Sequence, residues 1–311
     1  MKRADVRDEG SVAALLRGGD LVVNCVGPFH YDPSALVGAC IEVRAHYCDI
    51  ADDVAFVERV RAAAARHDAR AAGVFVCAGA STVPGLASVL ASGFERAPRA
   101  AEIARVSAWL SVGSRNPVSA GLLASLLAPL GRELPGGARS FDSLRVLRAS
   151  DGRVLRFGAY PAAFAGGVVA IGARSLPAQL FFGFDRAALT ALLRLAAPAL
   201  ARLPVTAIAP LAHVLLPFAR IAPLLGTPRG LLALVAEDAA GRDLARIEVA
   251  ASERGLDIPA APPCWLAARL ASGATLPAGS HDLGDVIGYD EALAWLRADR
   301  AFRVDERLGS A

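Results

Sequence analysis

The run Asp20-Leu21-Val22-Val23-Asn24-Cys25-Val26-Gly27-Pro28-Phe29 constrains this chain more than any other feature. Leu21 to Val26 is a short apolar stretch with helical patterning on both sides, the mark of a strand buried on both faces of a parallel sheet. Such strands normally sit mid-sheet, yet this one stands close to the first residue. The position predicts that a first strand, turn and helix, which would ordinarily precede it, are missing from these 311 residues.

The surroundings read as repeated β-α-β units. Ser11 is placed to cap a short helix with Val12, Leu15 and Leu16 on one face, and Gly18-Gly19 supplies a left-handed stop before the strand. After the loop, Asp32-Pro33 opens a helix whose Leu36, Val37, Cys40 and Ile41 share a face. Tyr47 to Ile50 is a short strand. Asp52-Asp53 puts acid at the start of a helix to about Arg70, and Gly73 ends it before Val74 to Cys77. The loop Gly79 to Gly85 then opens another helix through about Phe94, and Ile103 to Val112 reads as a long strand leaving the domain. This alternation predicts an α/β fold with right-handed crossovers.

Beyond Val112 the pattern changes. Arg115-Asn116-Pro117 predicts a helix through Leu130, the Pro135-Gly136-Gly137 break follows, and Leu144 to Leu155 reads as a hairpin around Ser150-Asp151-Gly152. Ala187 to Leu225 is rich in Ala, Leu and Pro. Pro204, Pro210 and Pro217 interrupt its longest uncharged run, Leu203 to Ala219, so several short helices are expected there and not one spanning helix. Leu231 to Glu237 and Leu244 to Ala251 flank Gly241 as an antiparallel pair. Pro262-Pro263-Cys264-Trp265 starts a helix through Leu270, and Asp290 to Arg297 forms the last one.

With 311 residues, 54% of them hydrophobic, the chain can fill two cores, so two lobes are expected. A net charge of +3 without a basic block argues against nucleic acid as a partner. No signal-peptide pattern is visible, which points to the cytoplasm, and five cysteines without a C-x-x-C pair argue against a disulfide framework. Lys2 is the only lysine, so Schiff-base chemistry, a Tyr-x-x-x-Lys relay and a Walker lysine have no candidate in the body of the chain. Cys25, His30, Cys40, His46 and Cys48 are spaced too irregularly for a zinc site, and no metal is expected. His213 is expected in a core or interface, and His281-Asp282 as a surface pair. No catalytic acid or base stands out.

The strand ending in Asn24-Cys25-Val26-Gly27-Pro28, the Cys40-Ile41 helix end, His46-Tyr47-Cys48-Asp49 and the Gly79 to Pro84 loop occur in an order that resembles the NAD(P)-binding domain of the saccharopine dehydrogenase-like oxidoreductases. Gly226-Thr227-Pro228, Ile258-Pro259-Ala260 and the Gly279 to Trp295 region give a softer resemblance to bacterial members of uncertain substrate. The resemblance implies an N-terminally incomplete Rossmann-like parallel sheet over residues 1–112, a substrate or dimerisation lobe of α+β type with Ala/Leu/Pro-rich helices over 113–275, and a return of 276–311 onto the first lobe. It also implies NADP or NAD as cofactor. In that family a glycine-rich turn precedes these motifs, and no G-x-G-x-x-G is present here. Cofactor binding and activity by this chain alone are therefore expected to be impaired.

Ligands of open parallel sheets bind outside the carboxyl ends of the strands. Asn24, Cys25, Val26, Gly27 and Pro28 occupy such an end: Gly27 lets the backbone approach a ligand, Pro28 fixes the turn, and Asn24 offers donor and acceptor to a ribose or carboxamide. By resemblance this is the nicotinamide side. The same residues also fit a strand end with Asn24 as its cap. Tyr47 and Asp49 alternate along a strand and share one face. They, with Gly79, Ser81 and Pro84, are substrate-cleft candidates, although Asp49 as a cap and Tyr47 as a packed ring serve equally well. The expected partner is a small-molecule or lipid-like substrate, with a membrane surface or a second copy on the apolar 187–225 region. A different class, a cofactor-free membrane-surface or partner-binding protein, would use that same region.

Overall fold

A computed structural model describes residues 4–134, 137–161, 164–219 and 226–309. The expected break at Pro135-Gly136 and the end of the apolar region, with Arg220 and Leu225, lie outside the described residues. The chain divides into two compact units, Met1–Val89 with Pro259–Gly288, and Leu90–Ile258 with Tyr289–Ala311. The strand expected to leave the first lobe near Val112 thus lies in the second unit.

In the first unit, α1 (Glu9–Ala13), β1 (Leu21–Asn24), α2 (Ser34–Glu42), β2 (His46–Asp49), α3 (Val54–Arg66) and β3 (Phe75–Cys77) alternate as the sequence pattern predicts. A further strand, Gly279–His281, completes a parallel sheet in the order β1, β2, β3, Gly279–His281. Ser11 is not a cap. It lies inside α1, where its hydroxyl accepts the Asp5 amide. Gly19 takes the left-handed conformation at φ +84° and Gly73 at φ +72°, each one turn before a strand. Asp53 caps α3 by accepting the Phe56 amide. The Asp32 carboxylate accepts the Ser34 amide, so α2 begins one residue later than the Asp-Pro pair suggests. Leu36, Val37, Cys40 and Ile41 all enter a core with Phe56, Val60 and Val76. Among the described residues β1 is an edge strand, not a central one, and Val23 is exposed there.

The second unit is built on a mixed sheet. It uses β4 (Arg105–Val112), β5 (Leu144–Arg148), β6 (Val154–Tyr160), β7 (Val168–Ile171), β8 (Arg174–Phe184), β9 (Gly230–Glu237), β10 (Asp243–Ala251) and a final strand, Phe302–Arg307. Their order is Phe302–Arg307, β10, β9, β4, β8, β6, β5, with β7 paired to β8. β8 is parallel to β4, and the pattern analysis did not anticipate it. Its successive side chains face opposite layers. Phe181 stacks on Trp109 at 4.3 Å in one core, while Phe182 joins Leu127, Leu193 and Ile208 in the other. That second core lies under α5 (Ala120–Leu127), α6 (Ala187–Leu200) and α7 (Val205–Ala219). The apolar region is thus two separate helices over its described part. The helix Asp257–Ala271 starts well before Pro262 and contains both of its paired prolines, and the last helix is Tyr289–Ala298.

Candidate functional site

The carboxyl ends of β1, β2 and β3 gather most of the residues singled out in the sequence. Asn24 closes β1 with only 3% of its surface exposed. Its Nδ2 donates to the Tyr31 hydroxyl at 2.8 Å and to the Tyr47 hydroxyl at 2.9 Å, and its Oδ1 accepts the Val26 amide at 3.1 Å. The amide group is therefore spent inside the protein, where it bends the chain after β1. Burial pushes the Tyr31 and Tyr47 phenols up, Tyr47 strongly, so both hydroxyls keep their protons at neutral pH.

The turn made by Asn24 leaves Cys25, Val26 and Gly27 exposed, and Pro28 follows through a cis peptide bond. A Cβ built on Gly27 meets nothing within 4 Å. Beside this loop is an open cleft of about 530 Å³, bordered by Asp5, Arg7, Ser11, Val26, Gly27, Pro28 and Tyr31. A second depression, about 350 Å³, adjoins it across Tyr31 and carries His30, Ser34, Arg59 and Arg66.

Tyr47 and Asp49 are wholly enclosed. Asp49 Oδ1 accepts the amides of Ala51 at 3.0 Å and Gly79 at 2.8 Å, and its main-chain oxygen accepts Ala80. Burial raises the Asp49 pKa, against the lowering effect of those two amides. Its Oδ2 is buried without a hydrogen-bond partner among the described residues. Gly79 sits at φ +69° with Pro84 Cγ only 2.9 Å from the position of a Cβ. Ser81 is buried and Pro84 half-buried, again after a cis bond. The Gly79 to Gly85 loop is thus a packed support held by Asp49. Of the two loops, Cys25 to Gly27 is the exposed one.

Tyr31 is the residue that pattern reasoning missed. It stands seven positions after Asn24, and its role depends on Phe29 and Tyr31 both folding onto Phe56, at centroid distances of 4.9 and 5.3 Å. The cysteines are free among the described residues. Burial takes the Cys40 thiol to about 12 and raises Cys48 and Cys77, which leaves Cys25 and Cys264 as the exposed thiols. His46 is held neutral by burial, and its Nδ1 accepts the Phe75 amide. His281 does not pair with Asp282: the ring stacks on Phe75, and Asp282 pairs with Arg61. His213 is exposed on α7, its Nδ1 against the Ala209 carbonyl.

Residues 2–77 match the saccharopine dehydrogenase NADP binding domain family. No curated protein matches the chain in sequence. Among solved structures, saccharopine dehydrogenase (L-Glu forming) from Saccharomyces cerevisiae superposes with a TM-score of 0.57 at 12% identity, covering 98% of this chain and 88% of that one. A protein of Magnetospirillum magnetotacticum MS-1 gives 0.35 at 14% identity over 89% and 79%, and yvaA of Bacillus subtilis gives 0.27 at 11% over 89% and 75%. Residues 2–77 thus resemble the saccharopine dehydrogenase NADP binding domain family, within a chain that has the fold of saccharopine dehydrogenase.

Proposed function

We propose that this chain is an NADP(H)-dependent oxidoreductase of the saccharopine dehydrogenase type, with Cys25 to Pro28 forming the wall on the nicotinamide side. The observation that carries this reading is Gly27. It stands at the carboxyl end of a parallel strand, exposed, with the space a Cβ would take left open toward a cleft. The family match over 2–77 supplies the cofactor class. When bound, the nicotinamide supplies or accepts hydride. Asn24, Tyr31 and Tyr47 fix the loop that shapes the wall, and Asp49 fixes the adjoining loop. The cofactor-free alternative draws no support from these comparisons.

The fit is partial. The 311 residues contain no G-x-G-x-x-G turn to meet the pyrophosphate, so binding by this chain is weak and rests on the nicotinamide half. The substrate is a small or lipid-like molecule taken at the same strand ends. Calorimetric titration with NADPH tests the reading. Saturable heat on titration with NADPH is expected, and no binding at millimolar NADPH would overturn it.

A further inference from the structure

We propose that the depression beside Tyr31 is a binding site for a phosphate-type oxyanion, held by Arg59 and Arg66. The two arginines stand seven positions apart on one face of α3 with the small Ala62 between them, and both line the same hollow of about 350 Å³ together with His30, Tyr31 and Ser34. Arg59 is fixed without being neutralised. Its guanidinium lies 5.7 Å from the centre of the Phe56 ring, Nη2 donates to the Phe29 carbonyl at 3.3 Å, and Nε is buried without a hydrogen-bond partner among the described residues. Arg66 is exposed, and its Nη1 reaches the Ser34 hydroxyl at 3.4 Å. Arg61 of the same helix pairs with Glu58 and Asp282, whereas neither Arg59 nor Arg66 has a carboxylate at ion-pair distance among the described residues. A half-buried guanidinium held in place with no counter-ion costs free energy, and an anion taken from solution removes that cost.

The acid on the lining, Asp32, does not fill this role. Its Oδ1 accepts the Ser34 amide at 3.0 Å and the Ser34 hydroxyl at 2.7 Å, so it is turned to the start of α2. Those two bonds hold the Asp32 carboxyl below the usual range, and Arg66 and Arg59 both add to the effect from a distance, so the two positive charges converge on one place. Two positive groups against one carboxylate leave the hollow cationic. Geometry then selects the ligand. A carboxylate presents two oxygens in one plane, which a single guanidinium fork saturates, whereas a tetrahedral oxyanion has oxygens left for a second guanidinium arriving from another direction.

The proposal needs no cofactor and is independent of the oxidoreductase reading. It is tested by phosphorus NMR line broadening of inorganic phosphate and of glycerol phosphate on titration with the full chain, at an ionic strength held constant with chloride. Saturable binding of both is expected, and acetate should compete poorly. Tighter binding of glycerol phosphate would identify the phosphate as part of a larger molecule, and tighter binding of inorganic phosphate would identify the free ion; either order supports the site. Arg59→Gln and Arg66→Gln should each weaken binding about tenfold. Arg66 is exposed, so its variant keeps the melting temperature and gives the readout if Arg59→Gln misfolds. Arg70→Gln, outside the hollow, should bind as the wild type does. Four results overturn the proposal: no broadening with the wild-type chain, binding unchanged in both Arg59→Gln and Arg66→Gln, an equal loss in Arg70→Gln, or acetate competing as well as phosphate.

Discussion

Asn24 donates a hydrogen bond of 2.9 Å to the hydroxyl of Tyr47, tying the end of β1 to β2 across 23 residues of sequence. This contact is buried, and it converts a strand end into a fixed loop. Removing the Asn24 side chain orphans the Tyr47 hydroxyl and the Val26 amide, so Asn24→Ala should cost on the order of 2–4 kcal/mol. Tyr47→Phe removes one partner and should cost about 1–2 kcal/mol. Denaturant unfolding of the two variants and their combination should give a coupling of roughly 1 kcal/mol. Strict additivity would mean that the two side chains act separately.

Gly79 and Gly27 should respond in opposite ways. Gly79→Ala forces a Cβ onto Pro84 in a left-handed backbone, at about 1–2 kcal/mol for the conformation alone, and should lower the melting temperature. Gly27→Val meets open space and should leave the melting temperature unchanged while removing NADPH binding. Thermal unfolding alongside titration separates the two effects.

Two aspartates should give pH dependences of opposite sign. Asp49 has its pKa raised by burial, so the folded state holds its proton longer than the unfolded chain. Its stabilising contribution is complete below the unfolded carboxylate pKa and is lost as pH rises through the folded value. Asp49→Asn keeps an acceptor for Gly79 and Ala51, and should flatten this loss above the ordinary carboxylate range. Stability curves against pH that run parallel for the two proteins would refute it.

Asp185 in the second unit behaves conversely. Burial pushes its pKa up, but the amides of Ser114 and Thr227 and the Thr227 hydroxyl outweigh this and hold it below the usual range. Its contribution is present above the unfolded pKa and is lost as pH falls through the folded one. Asp185→Ala should cost about 2–4 kcal/mol at neutral pH, with the difference narrowing in acid. A constant difference across the acid range would show that charge is not involved.

The first unit was legible because its signals are local: an apolar run, a glycine at φ > 0 before each of two strands, and an aspartate capping α3. β8 was not legible. Leu176-Pro177-Ala178 breaks its alternation, and only the register explains the proline, since Pro177 lies opposite Val168 of β7 and pairing to β4 begins one residue later. Its Phe181 and Phe182 are strand residues because two separate cores claim them. Asn24, Gly27 and Asp49 were picked out as site residues, yet the division of labour among them was hidden. Pattern places Tyr47 and Asp49 on one face, but their complete enclosure follows from how the Gly79 loop folds back. Tyr31 depends on a ring contact with Phe56 that no spacing announces.

The most direct test of the central claim uses Cys25, an exposed thiol two residues before Gly27. Its alkylation by iodoacetamide is followed by mass spectrometry, with and without NADPH at a concentration that calorimetry shows to be bound. The account predicts that NADPH slows modification of Cys25 in the wild-type chain and has no effect in Gly27→Val. Bound NADPH that leaves the Cys25 rate unchanged would contradict it, because the cofactor would then lie away from the carboxyl end of β1.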